Sequence, residues 1–549
     1  MPPVHDAVAE ALAQLGVRCC FGLVGSGNFH VTAALARRGC RFVAARHEAG
    51  AITMADAYAR VTGEVGVCSV HQGPGFTNTL TGLAEAAKSR SAVLVLAADV
   101  AGSAVTSNFR VDQAQLAASV GAVPERLHSP RSAVADAARA FWRARVERRP
   151  VVLSMPLDVQ AAPAPEPARV PDPPVLRPAR PSAQAVREAV QALSRGSRPL
   201  VLAGRGAALA GAAEALERLA DRLGGLLATT AVANGLFAGN PWDLGVSGGF
   251  ASPVAARLIR EADVVLAFGA SLNMWTTRHG TLVDPAATVV QVDAEPEAIG
   301  RHRRVDVAVV GDAREAALAL LEEADRASLP RSSWRSPQLE QEIARGRWRD
   351  VPYEDTSDGT TLDPRTLSIV LDEILPPERV VATDSGHFMG FPVMYLRVPD
   401  ARGFVFTQGF QAVGLGLATA VGAAVACPDR LVVVALGDGG ALMGLPELDT
   451  VARLGLRMLV VVYNDAAYGA EVHHFRPEPQ AAELVQFPDV DFAALARAVG
   501  LRAATVRRVE DLEAVRAWVA EGAPGGMLVD AKVTPTVVAE WLEDAFRGH

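Results

Sequence analysis

Residues 431–465 read LVVVALGDGGALMGLPELDTVARLGLRMLVVVYND, two valine-rich runs joined by a glycine-flanked aspartate and an amphipathic stretch. Leu431–Leu436 and Met458–Tyr463 are short and continuously apolar, so each reads as a buried strand of a parallel sheet with a helix crossing between them. The first strand then delivers Asp438 to the turn just past its carboxyl end. The second delivers Asn464 and Asp465 to the same edge, where open α/β sheets bind ligands. Gly437, Gly439 and Gly440 let the backbone come close to a phosphate. Oxygen side chains from neighbouring strands suit Mg²⁺, which takes hard oxygen ligands and keeps substrate phosphates in its shell. The segment therefore predicts a Mg²⁺-diphosphate clamp.

Outward from it, the same alternation of strand-like and helical patterns fills the chain. CCFGLVG, RFVAAR, VGVCSV, AVLVLAAD and PVVLSMP lie in a first block, and PLVLAG, LLATT, DVVLAFG, TVVQVD and DVAVVGD in a second. RVVATD, GFVFTQ, RLVVVAL, MLVVVY and GMLVDAKV make up the third. Such alternation predicts α/β architecture with three doubly wound parallel-sheet domains, over 1–165, 183–326 and 359–549. The first and third blocks look like variants of one plan. The proline-rich stretch 161–182 reads as a semi-extended linker, and the polar, charged stretch 328–358 as a second crossing.

The 549 residues are half hydrophobic and 21% charged, which suits several globular cores and excludes a disordered or membrane-spanning chain. No apolar run approaches the ~18 residues of a spanning helix. The opening MPPVHDAVAEALAQLGV reads as a first helix and not as a signal peptide. A net charge of −8 with mixed signs makes nucleic acid an unexpected partner. Five cysteines without a CxxC suit buried thiols in a reducing, cytoplasmic setting.

Arg46–Gly63, RHEAGAITMADAYARVTG, reads as a helix with small residues on one face, entered from the strand RFVAAR. Alone, Glu48 reads as a first-turn glutamate favoured by the helix dipole. Together with the GDG…ND segment, this string resembles the thiamine diphosphate (ThDP) enzymes, in the acetolactate synthase and 2-oxo acid decarboxylase group. The resemblance covers nearly the whole chain. It implies a pyrimidine-binding, a central and a diphosphate-binding domain, in that order. It implies that Asp438, Asp465 and the carbonyl of Ala467 hold Mg²⁺, with Asp465 standing where the family has asparagine and adding a negative charge. Glu48 then hydrogen-bonds the pyrimidine N1′ of ThDP. Gly386 and His387, past the strand RVVATD, are expected against the diphosphate with Gly437, Asp438, Gly439 and Gly440. Gln411 and Val413, in QAVGLG, are expected beneath the cofactor, with Tyr468 near it. Because the two cofactor domains of such enzymes meet across a subunit interface, a homodimer or homotetramer is implied.

The substrate-facing positions follow from the same resemblance. Ser26 (FGLVGSGN) and His71 (VHQGPGFTN) match residues of benzoylformate decarboxylase-like enzymes, His71 as a proton relay or simply a hydrogen-bonded strand-end histidine. Glu471 matches an active-site glutamate of simple decarboxylases, or else begins the next helix, and Gln113 matches a glutamine lining the synthase site. The central LAGRGA turn and Asp293 leave two readings open, a bound FAD or a domain that only braces the assembly. The activity implied is decarboxylation of a pyruvate-like 2-oxo acid with carboligation to a carbonyl acceptor. A simple decarboxylase is the alternative, and an inactive ThDP-binding partner subunit a third.

Overall fold

A computed structural model describes residues 1–165, 170, 176–475 and 483–545. The first sheet consists of β1 (Cys19–Gly22), β2 (Arg41–Ala44), β3 (Gly66–Val70), β4 (Val93–Asp99), β5 (Val123–Arg126) and β6 (Val151–Pro156). The second has β7 (Pro199–Ala203), β8 (Leu226–Thr229), β9 (Asp243–Val246), β10 (Val264–Phe268), β11 (Thr288–Asp293) and β12 (Val307–Val310). The third has β13 (Arg379–Thr383), β14 (Phe404–Phe406), β15 (Leu431–Gly437), β16 (Met458–Asn464), β17 (Arg502–Val506) and β18 (Gly526–Lys532). Strands pair in parallel throughout, so the chain is an α/β protein of three doubly wound domains. The outer sheets share one order, β2-β1-β3-β4-β6-β5 and β14-β13-β15-β16-β18-β17. The middle one, β12-β11-β10-β7-β8-β9, follows the order of dinucleotide-binding folds.

Five strands per domain are readable from their apolar runs, and the sixth is not. The three unread strands, β5, β9 and β17, are all edge strands. These three are partly wet and carry no continuous apolar run, unlike VAVV in β12 or FVF in β14 at the opposite edges: VPER in β5 alternates between partly buried and exposed positions. The stretch 328–358 is also more ordered than a plain crossing. Ser336 Oγ accepts from Leu339 N at 3.2 Å to start the helix Pro337–Ala344. Leu339 and Ile343 then join the central core, while Trp348 packs into the C-terminal one. Of the proline-rich connection, 166–169 and 171–175 lie outside the described residues.

N- and C-terminal domains share one apolar core, in which the helix Glu48–Thr62 lies along the helix Gly416–Ala426. Small residues make the approach possible: a Cβ on Gly422 would sit 2.3 Å from the carbonyl oxygen of Met54. His47 Nδ1 accepts from Ala49 N at 3.1 Å to start the first of these helices, and Gly63, at φ +74°, ends it. Among the described residues no helix is long and apolar enough to cross a membrane, and all five cysteines are buried and free.

Candidate functional site

In the third sheet the chain leaves β13 for β14 on one side and returns as β15 on the other, which opens a crevice at the carboxyl ends of β13 and β15. Asp384–His387 follow β13, Asp438–Gly440 follow β15, and Asp465 follows the adjacent β16. All three strand ends border one cavity of about 1910 Å³, which runs on to the central domain. Gly386, His387, Gly437, Asp438, Gly439 and Gly440 line it from the first two strand ends. Gln411 and Val413 line it from the β14 loop, and Asp465, Ala467, Tyr468 and Glu471 from beyond β16.

Asp438 is buried, and it opens a short helix directly where the strand ends. Burial raises its carboxyl above the ordinary range; Asp465 is raised by burial and further by the charge of Asp438, with which it shares a hydrogen bond. Two like charges held out of water call for a cation, and the hard oxygen donors fit Mg²⁺. Asn464 is turned away from this pair. Its Nδ2 donates to Asp530 Oδ1 at 3.0 Å and to Asp489 Oδ1 at 3.1 Å, bracing the end of β16.

A third carboxylate organises the surrounding backbone. Asp384 accepts from Ser385 N at 2.8 Å and from Gly414 N at 3.0 and 2.9 Å, which ties the β13 turn to the loop carrying Gln411 and Val413. Its burial pushes its carboxyl up to about 6 against those N–H bonds. A Cβ on Gly440 would lie 2.3 Å from Asp384 Oδ2, so the close approach of β13 and β15 requires glycine there. Gln411 sits at φ +61° and Val413 is 42% exposed into the cavity. His387 is held by Ala539 N, which donates to its Nε2 at 2.7 Å, and by the indole N–H of Trp541, which donates to its carbonyl at 3.1 Å. The His473 ring lies 4.4 Å from it. Gln408, which its sequence context does not single out, lines the same wall with both amide atoms buried and without hydrogen-bond partners among the described residues. Its only sequence signal is its place just after β14, at the ligand-binding edge.

Glu48, His71 and Ser26 gather at the matching crevice of the first sheet, between β1 and β3. Asn78 Nδ2 donates to Glu48 Oε2 at 3.0 Å, and Gly27 N donates to His71 Nδ1 at 3.1 Å, leaving Nε2 as the proton-bearing nitrogen of neutral His71. Burial lowers the His71 pKa, with the Glu48 charge acting the other way. Ser26 is exposed on the loop that wraps His71. Gln113 is buried, its Nε2 donating to Ala98 O at 2.8 Å. None of these four residues borders the large cavity. Within one chain, then, the two groups of expected site residues lie apart.

The cavity's central-domain end reaches Arg205, Gly206, Gly269 and Asp293. There the glycines serve packing, since a Cβ on Gly206 would lie 2.7 Å from Gly269 Cα.

Comparison with known proteins adds family to geometry. Residues 3–116 match the thiamine pyrophosphate enzyme N-terminal TPP binding domain, 186–320 the central domain and 384–531 the C-terminal TPP binding domain. A probable 2-ketoarginine decarboxylase of Pseudomonas aeruginosa is 32% identical, with 92% of this chain and 89% of that protein covered. The acetolactate synthase large subunit of Parasynechococcus marenigrum is 30% identical over 90% of this chain and 82% of its own. A sulfoacetaldehyde acetyltransferase of Castellaniella defragrans is 29% identical, over 92% and 88% respectively.

Proposed function

The chain belongs to the thiamine pyrophosphate enzymes, a family of 2-oxo acid decarboxylases and transferases, and from that premise we propose that it decarboxylates a pyruvate-like 2-oxo acid and joins the remaining acyl carbon to a second carbonyl. The observation that carries this reading is the pairing of buried Asp438 with half-buried Asp465 at adjacent strand ends, which suits a Mg²⁺-bound diphosphate. When bound, ThDP supplies a thiazolium that acts as an electron sink for the carbon losing CO₂. Asp438, Asp465 and the Ala467 carbonyl would hold the metal. Gly386, His387, Gly437, Gly439, Gly440 and Tyr468 would surround the phosphates and thiazolium, over Gln411 and Val413. Orphaned Gln408 supports a polar ligand at that wall.

Glu48 would hold the proton at the pyrimidine N1′, and His71, Ser26 and Gln113 would orient substrate and move its protons. Because Glu48 and the Asp438 cavity are separate in one chain, a homodimer pairing the first crevice of one chain with the third of another completes the site. Exposed apolar side chains at both crevices support it, Phe29 and Phe109 at the first, Val413 and Met443 at the third. Glu471, at the cavity wall, favours the second reading, a simple decarboxylase releasing aldehyde. An inactive partner subunit is disfavoured by the presence of Glu48. A flavin at the central end of the cavity is supported by the cavity's reach alone, and the absorption spectrum of the purified protein decides it against a bracing role.

Stripping with EDTA should abolish turnover and ThDP plus Mg²⁺ should restore it, while mass spectrometry with a panel of 2-oxo acids identifies the products. Full activity after exhaustive stripping would overturn the assignment. Glu471→Gln should move the products of pyruvate from aldehyde toward hydroxyketone. An unchanged ratio and rate removes Glu471 from the reaction.

A further inference from the structure

Two carboxylates outside the cavity join the two domains that carry these site residues. Glu447 opens the helix Glu447–Leu454 after β15, is buried, and reaches into the N-terminal domain. Its Oε1 accepts from Arg46 N at 3.0 Å and His47 N at 3.1 Å, the two peptides just before Glu48, and Thr450 Oγ1 donates to its Oε2 at 2.6 Å. Glu85, in the helix Leu80–Lys88 after β3, reaches the opposite way. It accepts from Gly409 N at 3.0 Å and Phe410 N at 2.6 Å, the two peptides just before Gln411. Arg60 Nη2 pairs with Glu85 at 2.7 Å and with Asp56 at 2.6 Å. These contacts hold the Glu85 carboxyl below its usual value although burial opposes them.

Since the outer sheets share one strand order, the two contacts are counterparts. Each carboxylate comes from a helix after the third strand of one domain and grips the backbone after the second strand of the other. Space is kept for both. A Cβ on Gly50 would lie 2.3 Å from Glu447 Oε1, and one on Gly409 would lie 2.6 Å from Ser89 Oγ and 3.1 Å from Glu85 Oε1. Burying carboxylates is a poor way to gain stability, and the helix at Glu48 already has its cap in His47.

We propose that Glu447 and Glu85 are positioning residues, Glu447 setting the place of Glu48 through the Arg46–His47 peptides and Glu85 that of Gln411 and Val413 through the Gly409–Phe410 peptides. The inference rests on the cofactor roles assigned to Glu48 and Val413 above. In the dimer those two residues of one chain serve different sites, so the paired contacts link the sites mechanically.

The test measures hydrogen-deuterium exchange at the thiazolium C2 under saturating ThDP and Mg²⁺, ThDP affinity, and melting temperature, in the full-length protein. Glu447→Ala should slow exchange about a hundredfold, the loss that a displacement on the order of 1 Å causes, with little change in affinity. Gly50→Ala, which keeps the carboxylate but displaces it, should act in the same direction. Glu447→Gln should restore exchange, because its oxygen can still accept from both peptides and its amide can donate to Thr450. Glu85→Ala should chiefly weaken ThDP binding, and Glu85→Gln should not rescue it, because an amide nitrogen would face an N–H donor. Wild-type exchange rates and affinities in the folded variants overturn the inference and leave the function standing. Absence of exchange in the wild type, under the same conditions, overturns the functional reading and the inference together.

Discussion

Asp438 and Asp465 place two carboxyls where water solvates them poorly, and both titrate above their unfolded-state values. The native state then binds protons that the unfolded chain has already released. In the metal-free protein the contribution of these two carboxyls to stability is therefore full below the ordinary carboxylate range and is lost as the pH rises through the raised native values. Mg²⁺ displaces those protons, so in thermal melts ThDP plus Mg²⁺ should raise the melting temperature more at about pH 8 than at about pH 5. Asp465→Asn removes one of the charges and should flatten the pH profile measured in EDTA; a profile as steep as wild type would mean that the two carboxyls do not repel one another. Glu48→Gln should keep ThDP binding but lower turnover by about 10²–10⁴-fold, the usual worth of a positioned proton-transfer group. Exchange at C2 as fast as wild type would reduce Glu48 to a helix-start residue.

Between elements, contact distances set by glycine determine whether the crevices keep their shape. Gly422 lets the helix Gly416–Ala426 touch the helix Glu48–Thr62 backbone to backbone, and Gly440 lets the segment after β15 reach Asp384. Alanine at 422 would press on the Met54 carbonyl, which cannot rotate away. A loss of about 1–3 kcal/mol in denaturant unfolding is expected, as for other overpacked cores. Gly440→Ala meets a carboxylate instead, and should weaken ThDP affinity more than it lowers stability, because Asp384 holds the Gly414 peptide next to Val413. Equal losses in both measurements would place that contact in the fold and not in the site.

For the molecule as a whole, the separation of Glu48 from the Asp438 cavity within one chain has a direct consequence. Inactive Glu48→Gln and Asp438→Ala proteins, mixed and allowed to exchange subunits, should recover about one quarter of wild-type activity. Half of the dimers are then mixed, and each mixed dimer has one intact site. No recovery after demonstrated exchange would show that each chain builds its own site. The two carboxylates reaching between the outer domains predict in addition that these domains unfold together, since they share one core and grip each other's backbone.

Sequence alone determined the α/β class, fifteen of the strands and the edge at which Asp438 and Asp465 stand, because runs of apolar and β-branched residues mark those strands and the ligand-bearing turn of a parallel strand follows its end within a residue or two. It did not disclose the edge strands β5, β9 and β17, which are partly wet and lack that run. Nor could it disclose the roles of Glu85 and Glu447. Each reads locally as an ordinary helical glutamate, while its partners are peptides 324 and 401 residues away, such as Gly409 and Arg46. Only the packing of one domain on the other decides those contacts, because a backbone N–H donates to any carboxylate that the tertiary fold brings to it and leaves no mark of that choice in the residues around it.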